Sequence, residues 1–248
     1  LAPEEVTDIP NAKKLKLEKS NIQFNNVLFS YSEEPIFKDF NLTIKPLEKI
    51  GLVGKSGAGK SSLIAILQRF YNINSGSISI DSQDIAKVTQ ESLRKQISYI
   101  PQEPSLLSRS VYDNIAYGRP NATKKEVYQA AELANAVEFI KELPNGYDEM
   151  VGERGFKLSG GQKQRVSLAG ILVDDVDILL FDEPLASLDP KTGKATIEII
   201  DQLHKETNKT IVIIEHRLED VLHRDIDRVI LMERGEIVAD TTPDEILA

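Results

Sequence analysis

The sequence predicts an α/β fold that combines a mostly parallel sheet, an antiparallel β layer and a helical insertion. Strand-like apolar runs alternate with helical segments in the first and last thirds of the chain, which favours a parallel sheet covered by helices. Residues from about 103 to 172 have mainly helical periodicity instead. We therefore expect an α/β core with a helical part inserted into it.

The first elements in chain order form the antiparallel layer. Residues 1–20 carry two prolines and four lysines, and we predict that they are a tail or linker leading to the first strand. Three stretches with strand character follow, separated by turn-prone residues. They are residues 22–29, 41–44 and 77–80.

A strand–loop–helix unit lies between the second and third of these stretches. The apolar strand Lys49–Val53 leads into a loop at 54–59, and a helix is predicted to start near Lys60. Four apolar residues after the loop recur at helical spacing. They are Leu63, Ile66, Leu67 and Phe70.

The remaining elements complete the alternation of strands and helices. Thr123 and Glu126 have the spacing of a capping box and open a helix that reaches Ala134. A helix near 191–205 carries apolar side chains on one side. Buried strands are predicted at 176–181, 210–214 and 229–232.

The composition excludes several classes of function. The 248 residues are 41% hydrophobic, which is enough for a core, and the net charge of −9 is unfavourable for binding a nucleic-acid backbone. Disulfide and thiolate chemistry are excluded because the chain has no cysteine. The apolar runs are much shorter than the ~20 residues that cross a bilayer. We expect a soluble unit, or a soluble part of a larger protein.

Residues 54–61 match the full pattern of a phosphate-binding loop, G-x-x-x-x-G-K-[ST]. Glycines let the backbone curl so that N–H groups face an anion, and the next helix adds its positive end. Lys60 would place a charge on the β and γ phosphates, and Ser61 would offer a hydroxyl to Mg²⁺. A plain Gly/Ser turn is the alternative. The predicted nucleotide contacts here are Gly54, Ser56, Gly57, Gly59, Lys60, Ser61 and Ser62.

Two downstream motifs give the loop a family context. One is the run from Leu158 to Gln162, Leu-Ser-Gly-Gly-Gln. The other is Ile-Leu-Leu-Phe at 178–181 followed by Asp182 and Glu183, as expected of a strand that ends in a metal-facing carboxylate. In this order, the three motifs resemble the ATP-binding cassette (ABC) family, whose nucleotide-binding domains power transporters. The resemblance implies a P-loop NTPase fold of ABC type over residues 21–248, with a helical subdomain at about 103–172.

The resemblance also implies a catalytic set. Glu183 would act as the general base that orients or deprotonates the attacking water. His216 would hydrogen-bond the γ-phosphate and keep that water in line, while Lys60 and Gln102 would complete the set. The alternative for Glu183 is that it only caps the end of a strand.

ATP and Mg²⁺ are the cofactors that the resemblance implies. Tyr31 would stack on the adenine, and its alternative is a half-buried strand residue. The metal ligands would be Ser61, Gln102 and Asp182. Residues 187–189 match the family's D-loop, which communicates between two ATP sites.

The Leu-Ser-Gly-Gly-Gln motif at 158–162 implies a partner chain. Residues Ser159, Gly160, Gly161 and Gln162 open a helix from about 162 to 172, whose N-terminus suits an anion. Because they lie in the helical insertion, we expect them to contact ATP bound to another chain. The family solution is an ATP-dependent, head-to-tail homodimer or heterodimer. The implied transmembrane domain is absent from this chain, so the expected location is the cytoplasm or the cytoplasmic face of a membrane.

Two other functions remain possible at this point. Cassette ATPases also act on chromosomes or ribosomes, but those have a long coiled coil or two cassettes in tandem, and no nucleic-acid partner is expected here. A degenerate cassette would bind ATP without turnover. Glu183, His216 and the unbroken 158–162 motif argue against that alternative.

The chain also has features of two subfamilies. Residues up to the 158–162 motif resemble ABC exporters, and 151–155 resemble the exporter X-loop that contacts the coupling helices. After about residue 166 the sequence resembles the ATPases of energy-coupling-factor importers, for example in Asp-Glu-Pro-Leu at 182–185. The hypothesis is a chimera of two cassettes, and drift within a natural sequence is the alternative.

Overall fold

The computed structural model describes residues 6–174, 176–185, 190–207, 209–222 and 225–246. The chain divides into two compact units. The first consists of Leu1–Tyr99, Asp177–Asp182 and Thr207–Ala248, and the second of Ile100–Val176 and Glu183–Glu206. The predicted limits of a linker at 1–20 and a cassette domain at 21–248 stay predictions.

The strands form two sheets, with the orders β2-β1-β4-β5 and β10-β9-β3-β8-β7-β6. The first sheet is antiparallel, and the predicted α/β class with an antiparallel layer is confirmed. Its three predicted strands correspond to β1, β2 and β4, whereas β5, β6 and β10 were not predicted. The strands are β1 (Ile22–Ser30), β2 (Pro35–Ile44), β3 (Lys49–Val53), β4 (Ser75–Ile80), β5 (Gln83–Asp84), β6 (Ile97–Ile100), β7 (Ile178–Asp182), β8 (Thr210–Glu215), β9 (Arg228–Glu233) and β10 (Glu236–Thr241).

The centre of the second sheet is parallel and buried. Strand β3 pairs in parallel with β8 and β9, and β7 pairs in parallel with β8. Every residue of β3 and β8 is buried, which explains why neither strand alternates between apolar and polar residues. The register places Val53 opposite Glu215 and Asp182 opposite Ile214. The carboxyl ends of β3, β7 and β8 therefore lie at one edge of the sheet.

The helices lie where the periodicity predicts helical structure, with differences at their ends. The capping box of Thr123 and Glu126 is formed, and the helix that it opens ends at Leu133. The helix predicted from about 162 begins at Gly160. The helices are α1 (Lys60–Leu67), α2 (Gln90–Arg94), α3 (Val111–Ile115), α4 (Lys124–Leu133), α5 (Val137–Glu142), α6 (Gly160–Val173), α7 (Pro190–Thr207), α8 (Glu219–Leu222) and α9 (Pro243–Ile246).

Helix α1 ends earlier than the sequence pattern predicts. The pattern placed Phe70 on the apolar face, but the helix ends at Leu67 and the Phe70 side chain is 49% exposed. Arg69 has a left-handed backbone with φ 54°, which stops the helix. Its buried guanidinium donates hydrogen bonds to the carbonyls of Ile85 and Val88, at 3.0 and 2.7 Å. The prediction that Phe70 lies on the apolar face of the helix is wrong. The helix ends before Phe70, and the Arg69 contacts hold the backbone in its non-helical conformation at that point.

The described part of the N-terminal segment, residues 6–20, packs on the rest of the first unit. The Arg69 guanidinium donates to the carbonyl of Thr7 at 3.1 Å and lies 3.3 Å from the carboxylate of Asp8. Farther along, the Asp81 carboxylate accepts hydrogen bonds from four consecutive backbone N–H groups, those of residues 18–21, at 2.7–3.1 Å. These contacts attach both ends of the segment.

The Asp81 contacts give stability a pH dependence. Burial by itself would raise the pKa of Asp81, but the backbone hydrogen bonds outweigh it and lower that pKa below 3.8. A lowered pKa means that the stabilisation is present above about pH 4 and is lost as the pH falls through the folded-state pKa. We expect Asp81→Asn to lower the free energy of unfolding at pH 7 by about 1 kcal/mol, since solvent screens this largely solvated carboxylate.

Urea denaturation at pH 7 and at decreasing pH measures this effect. Asp39→Asn is the matched control, because Asp39 is exposed and also has a positive φ, 48° against 49° for Asp81. The loss in Asp81→Asn should shrink below pH 4. An equal loss in both variants, or one that is independent of pH, would contradict the assignment.

Candidate active site

The phosphate-binding loop connects β3 to α1 and depends on its glycines. Gly57 and Gly59 have φ values of 81° and 102°, in the region that L side chains avoid. A Cβ atom on Gly59 would lie 2.9 Å from the ring of Phe37, and one on Gly54 would lie 2.4 Å from the carbonyl oxygen of Met232. Gly59 is also the N-cap of α1 and has no side-chain cap, so the first N–H groups of this helix face the loop end.

Lys60 lies inside this loop. Its side chain is 5% exposed, and its ammonium donates hydrogen bonds to the carbonyl oxygens of Gly54 and, at 3.2 Å, Lys55. Both acceptors belong to the phosphate-binding loop. The Lys60 ammonium therefore lies beside the loop backbone that would bind a phosphate. Ser56 and Ser61 are exposed, whereas Ser62 is buried.

Two further predicted residues lie at the carboxyl edge of the parallel sheet with this loop. Asp182 ends β7, and His216 follows β8 directly. The pairing of Val53 with Glu215 and of Asp182 with Ile214 brings the ends of β3, β8 and β7 to the same level. His216 is exposed and Asp182 is half-buried. In open α/β sheets, this edge is where ligands bind.

Asp182 has a partner that sequence reasoning missed. The hydroxyl of Tyr99, on the neighbouring strand β6, donates a hydrogen bond to Oδ2 of Asp182 at 2.7 Å. The Tyr99 ring packs against the hydrophobic core of the first unit. This contact was missed because strand β6 was not predicted. A prediction that β6 pairs beside β7 would have placed Tyr99 next to the Asp182 carboxylate.

In the second unit, the structure brings Gln102 and Glu183 together. The Gln102 side-chain amide donates to Oε2 of Glu183 at 2.9 Å. Glu183 has φ 46°, which is uncommon for a residue with a side chain and is found disproportionately at functional sites. This hydrogen bond holds the proposed base in one orientation.

The helix that follows the Leu158–Gln162 motif contacts the same turn. Gln164 is 6% exposed, and its amide donates a hydrogen bond to the carbonyl oxygen of Pro184, the residue after Glu183. The sequence shows Gln164 only as one residue of a polar run, so its role was not predicted. A glutamine in the buried part of a helix needs such a partner.

The N-terminus of α6 is capped within the chain and points a turn of glycines outward. Ser159 Oγ accepts from the N–H of Gln162 at 3.3 Å, and Gln162 Oε1 accepts from the N–H of Ser159 at 2.9 Å. Ser159 and Gly160 are exposed, and Gly161 and Gln162 are half-buried. The 14-residue helix therefore presents its positive end at the surface.

A cleft of about 560 Å³ adjoins this helix within the second unit. Its lining includes Gln102, Arg154, Lys163 and Gln164. The lining thus combines the predicted catalytic residue Gln102, Arg154 of the predicted X-loop and two residues of α6. The D-loop residues 187–189 lie outside the described residues.

Tyr31 follows β1 and has an open ring face. Its side chain is 51% exposed, and its ring makes edge-to-face contacts with Phe29 and Tyr71, with centroids 4.9 and 4.7 Å apart. Such contacts fix the plane of the ring while the exposed part stays open. This geometry suits stacking on a base.

The oxygen donors at the sheet edge fit a magnesium ion that comes with a nucleotide. Within the described ranges, no group of three or more His, Cys, Asp or Glu side chains could hold a metal ion. Mg²⁺ in nucleotide sites needs only one or two protein oxygens beside those of the phosphates. In the first unit, the hydroxyl of Ser61 and the carboxylate of Asp182 are hard donors of this kind. The third predicted ligand, Gln102, belongs to the second unit.

Comparison with known families decides what this arrangement belongs to. The family model described as ABC transporter matches residues 37–186. The chain belongs to the ABC transporter family. Members of this family bind ATP and hydrolyse it to power transport, and the predicted recognition and fold class are confirmed.

Individual ABC relatives align along nearly all of the chain. A Haemophilus influenzae protein named an uncharacterized ABC transporter ATP-binding protein is 46% identical over 99% of this chain. A putative multidrug export ATP-binding/permease protein of Staphylococcus aureus is 43% identical over 97%. The solved structure of a bacterial Atm1-family ABC exporter with ATP bound covers 98% of the chain at 39% identity, with a TM-score of 0.91.

These ABC proteins are longer than the present chain. The matched region is 40% of the Haemophilus protein and 42% of both the Staphylococcus protein and the solved exporter chain. In the part of the present chain that the structure describes, every helix is too short or too polar to cross a membrane. The relatives align across residue 166 as single stretches, and the hypothesis of a chimera stays a prediction.

The two loop glycines provide a matched pair of variants. Gly57→Ala should cost about 1–2 kcal/mol from its left-handed backbone alone, since no atom lies within 4 Å of the added Cβ. Gly59→Ala should cost more, because its Cβ also meets Phe37. We expect urea unfolding and ADP titration calorimetry to show the larger loss of stability and affinity in Gly59→Ala. Equal losses would contradict the close approach of Phe37.

Proposed function

We propose that this chain is the ATP-hydrolysing motor domain of an ABC transporter and works as a head-to-tail dimer with two ATP molecules and Mg²⁺. The observation that carries the proposal is the common carboxyl edge of β3, β7 and β8. It brings the phosphate-binding loop, Asp182 and His216 to one side of the sheet. The family match and the intact catalytic set favour turnover over ATP binding alone.

Hydrolysis needs positioning and charge neutralisation more than covalent help from the protein. The loop N–H groups and Lys60 bind the β and γ phosphates. Ser61, Gln102 and Asp182 would hold Mg²⁺, which would supply charge neutralisation on these phosphates. Glu183 orients the attacking water and accepts its proton as the water oxygen bonds to the γ-phosphorus and the bond to ADP breaks.

The hydrogen bond between Gln102 and Glu183 supports this assignment. The Gln102 amide donates to Oε2 of Glu183 and holds this carboxylate in the orientation from which it would accept the proton of the water. His216 then hydrogen-bonds the γ-phosphate from the end of β8. Tyr31 stacks on the adenine with its open ring face and gives loose selectivity for the base.

The dimer follows from the exposed N-terminus of α6. Ser159 and the glycines after it form an anion-binding turn at the surface. In the proposed dimer this turn contacts the γ-phosphate of ATP on the second copy, or on a related cassette. ATP then stabilises the association, because it binds the dimer better than the monomer.

The rest of the transporter is proposed from the relatives. Their names describe an export ATP-binding/permease protein and an exporter, and the present chain corresponds to about two-fifths of their length. We assign the transmembrane domain to protein outside this chain and place the motor at the cytoplasmic face of a membrane. The net charge of −9 disfavours a nucleic-acid partner.

Replacement of Lys60 tests ATP turnover. Lys60→Ala removes the buried charge from the phosphate loop and should abolish phosphate release, since the transition state loses several kcal/mol of stabilisation. Lys125→Ala, on the exposed face of α4, is the matched control and should keep wild-type activity. Wild-type turnover in Lys60→Ala would refute the assignment.

Replacement of Glu183 tests the dimer. Glu183→Gln keeps the shape of the site and should reduce turnover by about 10²–10⁴-fold. Size-exclusion chromatography with Mg-ATP should then show a dimer that is absent with ADP. Glu138→Gln, at an exposed position of α5, is the control. A Glu183→Gln variant that stays monomeric with ATP over the accessible concentration range would contradict the dimer.

A further inference from the structure

The hydrogen bond between Tyr99 and Asp182 connects the hydrophobic core to the carboxyl edge of the sheet. Tyr99 is the third residue of β6, and β6 neighbours β7 in the sheet. Its hydroxyl donates to Oδ2 of Asp182 at 2.7 Å, the usual length for a hydrogen bond between two oxygens. The acceptor carries a negative charge when ionised, which strengthens such a bond.

We infer that Tyr99 is a positioning residue that orients the Asp182 carboxylate toward the nucleotide-bound Mg²⁺. The inference rests on the proposed function, in which Asp182 faces that ion. The hydroxyl occupies one oxygen of the carboxylate and leaves Oδ1 as the oxygen for the metal shell. The Tyr99 hydroxyl bonds the Asp182 carboxylate itself, so its effect on the ion would pass through Asp182.

Tyr99 is more firmly held than Asp182, so the tyrosine positions the carboxylate and not the reverse. The Tyr99 ring is partly buried and packs against the core cluster of the first unit, so its hydroxyl has a fixed position. Asp182 is the last residue of β7 and is only half-buried, so its carboxylate depends on a partner for a single orientation. The core thereby fixes a side chain at the edge of the sheet.

The expected size of the effect comes from other metal sites. Residues that hydrogen-bond a ligating side chain typically change metal affinity by about 10–100-fold when they are removed. Tyr99→Phe deletes the hydroxyl and keeps the ring that fills the core. The fold should therefore persist while the orientation of Asp182 is lost.

The experiment separates metal from nucleotide. ADP binding is measured by calorimetry with Mg²⁺ and with EDTA, for wild type, Tyr99→Phe, Asp182→Asn and Lys60→Ala. Tyr128→Phe, on α4 and 41% exposed, is the matched control. Tyr99→Phe should bind ADP normally in EDTA but lose about 10-fold or more of the gain that Mg²⁺ gives, and its ATPase should need correspondingly more Mg²⁺.

Each outcome has one meaning. Equal weakening of ADP binding in Mg²⁺ and in EDTA would make Tyr99 structural and overturn the inference. A normal Mg²⁺ gain in Tyr99→Phe, with the gain lost in Asp182→Asn, would overturn the inference and leave the proposed function intact. If Asp182→Asn keeps the Mg²⁺ gain and Lys60→Ala binds ADP normally, the proposed function and the inference both fail.

Discussion

The parallel pairing of β3, β7 and β8 is the constraint on which the rest of the site depends. The β3–β8 and β7–β8 pairs are in register up to their last residues, so the three strands end at the same edge of the sheet. A shift of one residue in β7 would turn the side chain of Asp182 to the other face of the sheet. The buried, branched side chains that fill β3 and β8 fix this register because both faces are covered. The stability of the core and the geometry of the edge have the same origin.

Polar side chains then fix individual groups that the sheet alone leaves free. Tyr99 holds Asp182, Gln102 holds Glu183, and Gln164 holds the carbonyl of Pro184. The three groups that are held belong to the last residue of β7 and to the two residues that follow it. Glu183, with φ 46°, needs such support because its backbone conformation costs energy that neighbouring contacts must offset.

The sequence predicted the elements whose signal is local. Strand Lys49–Val53 and its loop were predicted with their exact limits, since an apolar run, a glycine pattern and a helical period follow one another within a few turns. Strand β6 escaped prediction because it has four residues and only its two isoleucines are buried, so no alternation marks it. The role of Tyr99 was missed with it. The roles assigned to the other site residues stay predictions. The contacts of Asp81 could not be predicted, because their donors are backbone amides, which leave no pattern in the side-chain sequence.

Arg69 connects the N-terminal segment to the end of α1. It lies two residues after the end of α1 and binds Thr7 and Asp8 in the segment that precedes β1. An eight-residue helix is a rod of about 12 Å, and the other end of this one begins with Lys60. The two ends of α1 therefore join the anchored N-terminal segment and the phosphate-binding loop through one continuous helix.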